Sequence, residues 1–548
     1  MIRNVLIGLV LVVGLTAAAL WAFRREVIVA IVHFAAQQEE VGLHQPIKWE
    51  IGPATATVPP ARRPPNIVVI LADDLGINDI SFYGGGVAGG RVQTPNIDRI
   101  AREGIHFTEG YAGNATCAPS RAMLLTGRYP TRTGFAFTPA PPSNGRFMML
   151  FAEEKPGVPS LVWHPEASAQ LPPMHEQGLP GEEVTLAEML READYHTVHI
   201  GKWHLGTGPE FGPTAQGFDE SLLQMSGLYL PEGDPGVVNA RLDFDAIDRF
   251  LWAAMRYSAA FNDGPSFEPG GYLTDWWTDE AVEVIHENRH RPFFLYLAHW
   301  APHSPLQATR EDYEAVGDIE PHRARVYAAM IRALDRGVGR VLDALRDEGL
   351  EENTIVLFST DNGGAGYIGL PEINAPYRGW KGSFFEGGIK GPFFLRWPAR
   401  VAAGTVDARP AAHIDVVPTM LAAAGASLPG GVEIDGIDLL DPDARRENDA
   451  LFWQSGYYQT VRQGPWKLQL DAKRERVWLY DLTTDPTERE NLASAEPARV
   501  AELRALLEEH LEGARAPLYP SYLEGPRPID KTGAEPFEPG DEYVYWPN

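Results

Sequence analysis

Four apolar runs constrain this chain more than any other feature. Asn66-Ile67-Val68-Val69-Ile70-Leu71-Ala72 is apolar after its first residue and reads as a strand buried on both faces. Thr197-Val198-His199-Ile200, Pro292 to Leu297 and Thr354 to Ser359 have the same texture. Helical stretches separate them. Thr94-Pro95 starts one that stops near Gly104, and Thr185 with Glu188 forms a capping box for another. Arg323 to Leu345 sustains a helical pattern through Val326, Met330, Ala333, Val338, Leu342 and Leu345. Strands alternating with helices in this way imply an α/β fold whose large central sheet is mostly parallel and flanked by helices.

Each run is followed by polar residues. Asp73-Asp74 follows the first, Gly201-Lys202-Trp203-His204 the second, His299 with His303 the third, and Asp361-Asn362-Gly363-Gly364 the fourth. Ligands of open α/β sheets bind beyond the carboxyl ends of the strands, so these clusters are expected to converge on one site. Two adjacent carboxylates repel unless a cation lies between them. Asp361 and Asn362 would complete an all-oxygen shell suited to Ca²⁺ or Mg²⁺. Zinc ranks lower because it prefers His and Cys ligands. Gly84-Gly85-Gly86 and Gly89-Gly90 lack the Gly-Lys-Ser/Thr ending of a phosphate loop and read as a flexible connection.

The 548 residues suffice for one large core and a smaller second unit, and a hydrophobic content of 44% is ordinary for a globular protein. A formal charge of −27 argues against a nucleic-acid-binding surface, and any anion must be met by a local positive site. Val5 to Phe23 is uncharged and apolar, so residues 1–25 read as a signal anchor or a cleaved signal peptide. Both readings export the body to the periplasm or the extracellular space, with the anchor tying it to a membrane. Residues 26–64, ending in Pro59-Pro60-Ala61-Arg62-Arg63-Pro64-Pro65, form a linker or lead-in. Residues 65–440 form the catalytic domain. In residues 445–548 short strands at Tyr457–Val461, Trp466–Leu470 and Val477–Tyr480, with a helix from about Pro497 to Glu512, suggest a sheet-plus-helix subdomain.

Cys117 is the single cysteine, so no disulfide forms within the chain. It opens Cys117-Ala118-Pro119-Ser120-Arg121, followed by Leu125-Thr126-Gly127-Arg128. Pro119 suits a first helical turn, which places Cys117 just before a helix N-terminus, where free N–H groups favour an anion. The run Cys-x-Pro-Ser-Arg with Thr-Gly-Arg shortly after resembles the signature of the type I sulfatases of the alkaline phosphatase superfamily. A cysteine phosphatase loop, Cys-x5-Arg, fits poorly, because three residues separate Cys117 from Arg121.

The resemblance runs from about Pro65 to Ala493 and implies an arylsulfatase-like sulfuric ester hydrolase. In that family a maturation enzyme oxidises the cysteine to formylglycine, an aldehyde that hydrates to a gem-diol and attacks sulfur. The family's motifs at Asp73-Asp74 and Asp361-Asn362 bind Ca²⁺, with residue 117 as a further ligand. Arg121 assists the nucleophile, Lys202 and Lys381 hold sulfate oxygens, His204 bonds the hydrate, and His303 protonates the leaving group. The substrate is a small-molecule or carbohydrate sulfate ester. Phe135 to Gly181 and Gly227 to Gly271, the latter with Phe250, Trp252, Tyr257 and Phe261, are expected to wall its pocket as an apolar lid, with peripheral packing as the alternative. A phosphonate or phosphate ester hydrolase of the same superfamily and a non-catalytic sulfated-glycan-binding protein are the competing functions.

Overall fold

A computed structural model describes residues 22–59, 62–152 and 156–548. The apolar run Val5–Phe23 lies outside these residues except for its last two positions. Among the described residues no helix is long and apolar enough to cross a membrane.

Nine strands form the central sheet: β1 (Asn66–Ala72), β2 (Ile105–Phe107), β3 (His196–Gly201), β4 (Glu220–Gln224), β5 (Ala259–Phe261), β6 (Phe293–Ala298), β7 (Thr354–Thr360), β8 (Phe393–Arg396) and β9 (Thr405–Asp407). Their order is β9-β2-β8-β7-β1-β6-β3-β4-β5. The four apolar runs of the sequence are β1, β3, β6 and β7, and they are immediate neighbours, all parallel. Antiparallel pairings join β8 to β7 and β2, and β5 to β4. The sheet is therefore mixed but parallel where the candidate site residues leave it.

Both faces of β1 are covered, as its unbroken apolar sequence requires. Val68 and Ile70 point into a core built with α2 (Pro95–Arg102), α6 (Leu273–Glu287) and α7 (His322–Asp347). Ile67, Val69 and Leu71 point into the opposite core with α3 (Cys117–Thr126), α4 (Leu186–Glu192) and α8 (Val416–Ala424). The capping box of α4 is present, with the Thr185 hydroxyl accepting from the Glu188 N–H. Helix α3 starts one residue earlier than the sequence suggests. Thr116 has extended backbone and is the N-cap, so Cys117 is the first helical residue rather than the one before it.

A four-stranded antiparallel sheet follows, β10 (Ala450–Ser455) to β13 (Arg476–Asp481) through β11 (Tyr458–Gln463) and β12 (Trp466–Asp471). Helix α9 (Pro497–Leu511) packs Leu503 and Leu507 onto it. Strand β10 and the strand Leu523–Pro528, which carries two prolines yet pairs on both edges, were not foreseen. Proline demotes a stretch as a strand candidate, which hid the second. Helices α1 (Arg24–Gln37) and α5 (Ala246–Ala254) pack against each other on the outside.

Lys467 on β12 binds this sheet to the larger body. Its Nζ lies 2.7 Å from Glu386 Oε1 and 3.0 Å from Glu488 Oε1, and all three side chains are buried. Lys467→Met leaves two carboxylates facing each other in the interior. It should cost about 3–5 kcal/mol of stability, read as a lower denaturation midpoint in urea. An unchanged midpoint would refute a structural role for this cluster.

Asp79 lies in the turn beyond Asp73-Asp74. Its Oδ2 accepts from the Tyr327 hydroxyl at 2.6 Å and from the Gly76 N–H at 2.8 Å, and burial pushes its pKa up to about 8. The folded protein thus keeps this proton to about pH 8, while the unfolded chain releases it near 3.8. Between those values the native state binds more protons, so this group's contribution to stability falls as pH rises. For Asp79→Asn the urea midpoint should gain on the parent's from pH 5 to pH 8. Parallel curves would show that Asp79 does not titrate this way.

Candidate active site

The register of the sheet brings the strand ends level. Ala72 pairs with Thr360, Leu71 with Ala298, and Ala298 with Gly201. The next residues, Asp73, Asp361 and Lys202, therefore emerge at one edge. Lys202 N–H donates to Ala298 O and Asp361 N–H to Ala72 O, which fixes both turns. Asp74 and His204 adopt left-handed backbone, φ 61° and 67°. Non-glycine residues hold that conformation at a cost, and such strain clusters at functional positions.

Helix α3 brings Cys117 to this edge. Its Sγ lies 3.6 Å from Asp73 Oδ1 and 3.9 Å from Asp74 Oδ1. One turn on, the fully buried Arg121 reaches between two strand ends. Its Nη2 is 2.8 Å from Asp361 Oδ2 and 3.4 Å from Asp73 Oδ2, and its Nη1 donates to Lys202 O at 2.9 Å. Lys202 Nζ sits 2.6 Å from Asp73 Oδ2, and Lys381 Nζ 2.7 Å from Asp74 Oδ1. Asn362 Nδ2 donates to Asp74 Oδ1 at 2.7 Å. His303 Nε2 lies 3.5 Å from Asp74 Oδ2, and its Nδ1 donates to Ser304 O. The fold thus gathers Asp73, Asp74, Cys117, Arg121, Lys202, His303, Asp361, Asn362 and Lys381. His204 stands on the wall of the same cavity, its Nδ1 buried and without a hydrogen-bond partner. His299 is fully buried and neither of its ring nitrogens has a hydrogen-bond partner.

Burial alone would raise the Asp74 carboxyl, but the charge of Lys381, with His303 and Lys202, holds it below its usual range. Burial, then Asp73, raises Asp361. Burial and Asp361 push the Cys117 thiol far up, the opposite of what a thiolate nucleophile requires. Burial lowers His303 to about 3, and burial with Lys202 keeps His204 neutral too.

One ligand atom each from Asp73, Asp74, Cys117 and His303 lies within 4.8 Å of the others. Asn362 Oδ1 is buried with no hydrogen-bond partner among the described residues, and it belongs to a residue whose other side-chain atom already bonds Asp74. Such an orphaned acceptor beside crowded carboxylates fits a hard, oxygen-seeking cation.

Two residues near the site carried no sequence signal. The Tyr367 hydroxyl donates to Asp74 Oδ2 at 2.7 Å, and it arises from a loop tyrosine in no recognisable pattern. His413 lies between Ser120 Oγ at 3.0 Å and Ser359 Oγ at 3.2 Å, tying α3 to β7. Of the segments expected to wall the pocket, Thr138, Pro139, Met174, Gly227 and Met255 line the cavity. Phe250, Trp252, Tyr257 and Phe261 do not line it. Helix α5 turns Trp252 toward α1 and Phe250 onto Phe147, while Phe261 packs on Trp49 and the Tyr257 hydroxyl bonds Pro269 O and Gly271 O.

If Asn362 Oδ1 is a cation ligand, Ca²⁺ added to metal-stripped protein should raise Tm, by about 2.7 kcal/mol of stability at a hundredfold excess over Kd. Asn362→Leu should lose most of that rise. Equal Ca²⁺ responses in the two proteins would remove Asn362 from the shell.

The family model "Sulfatase" matches residues 65–426, and "N-sulphoglucosamine sulphohydrolase, C-terminal" matches residues 379–516. Human N-acetylgalactosamine-6-sulfatase is 34% identical over 69% of this chain, which spans about two thirds (66%) of that relative's length. Mouse steryl-sulfatase is 32% identical over 84% of each chain, and human arylsulfatase A is 31% identical over 86% of this chain and 92% of its own. The crystal structure of Ps i-CgsB in complex with k-i-k-neocarrahexaose superposes with a TM-score of 0.66 at 28% identity, covering 83% of this chain and 95% of that one.

Proposed function

The chain belongs to the sulfatase family, and we propose that it hydrolyses sulfate esters with residue 117 as the nucleophile after oxidation of Cys117 to formylglycine. The observation that carries this reading is the placement of Cys117 between three carboxylates and three cations at the ends of four adjacent parallel strands. The apolar run Val5–Phe23 reads as an export signal, cleaved or retained as an anchor, and a maturation enzyme supplies the oxidation.

Hydration of the aldehyde puts two hydroxyls on one carbon. One hydroxyl releases its proton to solvent and its oxygen attacks sulfur, the bond between sulfur and the ester oxygen breaks, and His303 gives the departing oxygen a proton from Nε2. Because Nδ1 already donates to Ser304 O, this transfer needs a second proton on Nε2; burial disfavours that imidazolium, and the anionic ester bound beside it favours it. Lys202 and Lys381 spread the charge on the sulfate oxygens, and removal of one such donor costs about 3 kcal/mol in the barrier. His204 then takes the proton of the second hydroxyl, the carbon–oxygen bond to sulfate breaks, and the aldehyde returns. Asp73, Asp74, Asp361 and Asn362 would hold Ca²⁺, which when bound favours the ionised form of the attacking hydroxyl. Arg121 holds Asp73 and Asp361 in place for that role.

Serine at position 117 can attack once but has no second hydroxyl. Cys117→Ser should accumulate a sulfated enzyme, seen by intact mass, with turnover lost. Sustained turnover by that variant at the native rate, or an unmodified thiol in fully active protein, would sink this mechanism. Rates on an aryl sulfate should exceed those on matched phosphate mono- and diesters.

A further inference from the structure

The cavity of about 550 Å³ that holds Cys117 has two unlike parts. Lys202, Lys381, His204 and His303 surround the reacting end. Beyond them the wall is made chiefly of Pro139, Met174, Leu223, Met225, Met255 and Trp300. Among the described residues, no charged side chain other than these lysines and histidines lines it.

Several polar groups of this wall are already committed to the protein. Ser226 Oγ accepts from the Arg256 N–H at 2.7 Å, and Trp300 Nε1 donates to Gly227 O at 2.9 Å. Trp203 Nε1 donates to Phe211 O at 2.6 Å, and the Thr207 hydroxyl reaches Met174 O at 3.5 Å. What these residues leave for a ligand is mostly carbon and sulfur. The exceptions are the hydroxyls of Thr116 and Thr138 and the Gln224 side chain, whose Oε1 is a buried acceptor with no partner among the described residues. The wall is also fixed in place. Met225 and Ser226 N–H donate to Ser258 O, Leu228 N–H to Arg256 O, and Arg256 Nη1 to Ala36 O at the end of α1. Trp300 stacks on His303 with ring centroids 4.0 Å apart, so apolar wall and proton donor are continuous.

We propose that the alcohol or phenol released by this enzyme is an apolar ring or chain carrying few hydrogen-bonding groups, seated against Met174, Leu223, Met225, Met255 and Trp300, and not a sugar. This rests on the sulfatase reading above. A buried pyranose brings several hydroxyls, each of which costs free energy if left without a partner. The wall offers too few partners. Methionines instead adapt to irregular apolar shapes. Pockets that select by shape are built this way, with few polar groups in an apolar lining.

The test uses full-length protein whose residue 117 is shown by mass to be the aldehyde. Cyclohexylmethyl sulfate and N-acetylgalactosamine 6-sulfate are both primary alkyl sulfates, one apolar and one a sugar. kcat/KM should favour the first by at least about tenfold, as several unpaired hydroxyls imply. Along the 4-methyl- to 4-butylphenyl sulfate series, leaving-group acidity is nearly constant while buried area grows. There kcat/KM should rise about fourfold per methylene. Met225→Gln and Met255→Gln should flatten that slope, a change that mere loss of folded protein cannot produce. A flat series in the parent protein, or preference for the sugar sulfate, overturns the proposal while leaving the sulfatase reading intact. No turnover of any sulfate ester by aldehyde-bearing protein sinks the sulfatase reading, and this proposal with it.

Discussion

Three carboxylates and three cations share one buried volume, and the rest of the site depends on how they are paired. Arg121 carries the greatest burden, being fully buried and reaching both Asp73 and Asp361. Burying an ion costs several kcal/mol, which only full partnering offsets. Asp73 is shared by Arg121 and Lys202, and Asp74 by Lys381, Asn362 and Tyr367. The charges of Asp73, Asp74 and Asp361 cancel those of Arg121, Lys202 and Lys381. An anionic ester therefore gains no net attraction from this ring, and the chain's −27 repels it. A divalent cation on the carboxylate side would tip the balance, and the orphaned Asn362 Oδ1 supplies an acceptor for it.

The carboxylates are where they are because of the sheet. β1, β6 and β7 were legible in the sequence because each is a nearly continuous apolar run, the texture expected of a strand buried on both faces, and β3 was legible although its buried Thr197 and His199 interrupt that texture. Strand order was not legible. That these four are adjacent and parallel is a property of the fold, and it turns four separate strand ends into one edge. Asp73, Asp74, Asp361, Asn362 and Lys202 could be found by position alone, as the first polar residues after those runs. Arg121 and Lys381 could not. One sits on a helix among apolar residues and the other in a glycine-bounded loop, and only the motif resemblance pointed to them. Tyr367 and His413 had neither signal, since each acts through contacts with residues far away in sequence. The strands at Ala450–Ser455 and Leu523–Pro528 escaped for a related reason. Their pairing partners, not their own composition, make them strands.

The small C-terminal sheet bears on the site through one loop. Glu386, which shares Lys467 with Glu488, begins the short turn Glu386–Ile389, and its N–H donates to Glu488 Oε2. The same loop carries Arg378, pinned by Asp530 and Glu542, and between these anchors lies Lys381. Lys381 N–H donates to Gly364 O and Gly382 N–H to Ala115 O, two residues before Cys117. A cation that must meet a small anion at hydrogen-bond distance needs its backbone fixed on both sides, and the buried ion cluster supplies that from outside the central sheet.

The reacting end and the rest of the cavity are built from different parts of the fold. The groups around Cys117 come mostly from strand ends and α3, elements that the fold itself keeps in place, with Lys381 supplied by the loop that the buried ion cluster anchors. The opposite wall comes largely from Pro139, Met174, Met225 to Gly227 and Met255, which lie in connections or at a helix end, together with Leu223 and Gln224 at the end of β4. A common fold therefore hosts different leaving groups, and relatives named for a sugar sulfate and for a steryl sulfate can be almost equally similar to one chain, at 34% and 32% identity. What discriminates between such substrates is whether the wall answers hydroxyls or excludes them. Here Trp203 and Trp300 point their N–H groups into backbone carbonyls and Ser226 accepts a backbone N–H. A wall that satisfies most of its own polar atoms internally, leaving chiefly Gln224 and two threonine hydroxyls, has too few to spare for a sugar, and its selectivity must come from shape and apolar area.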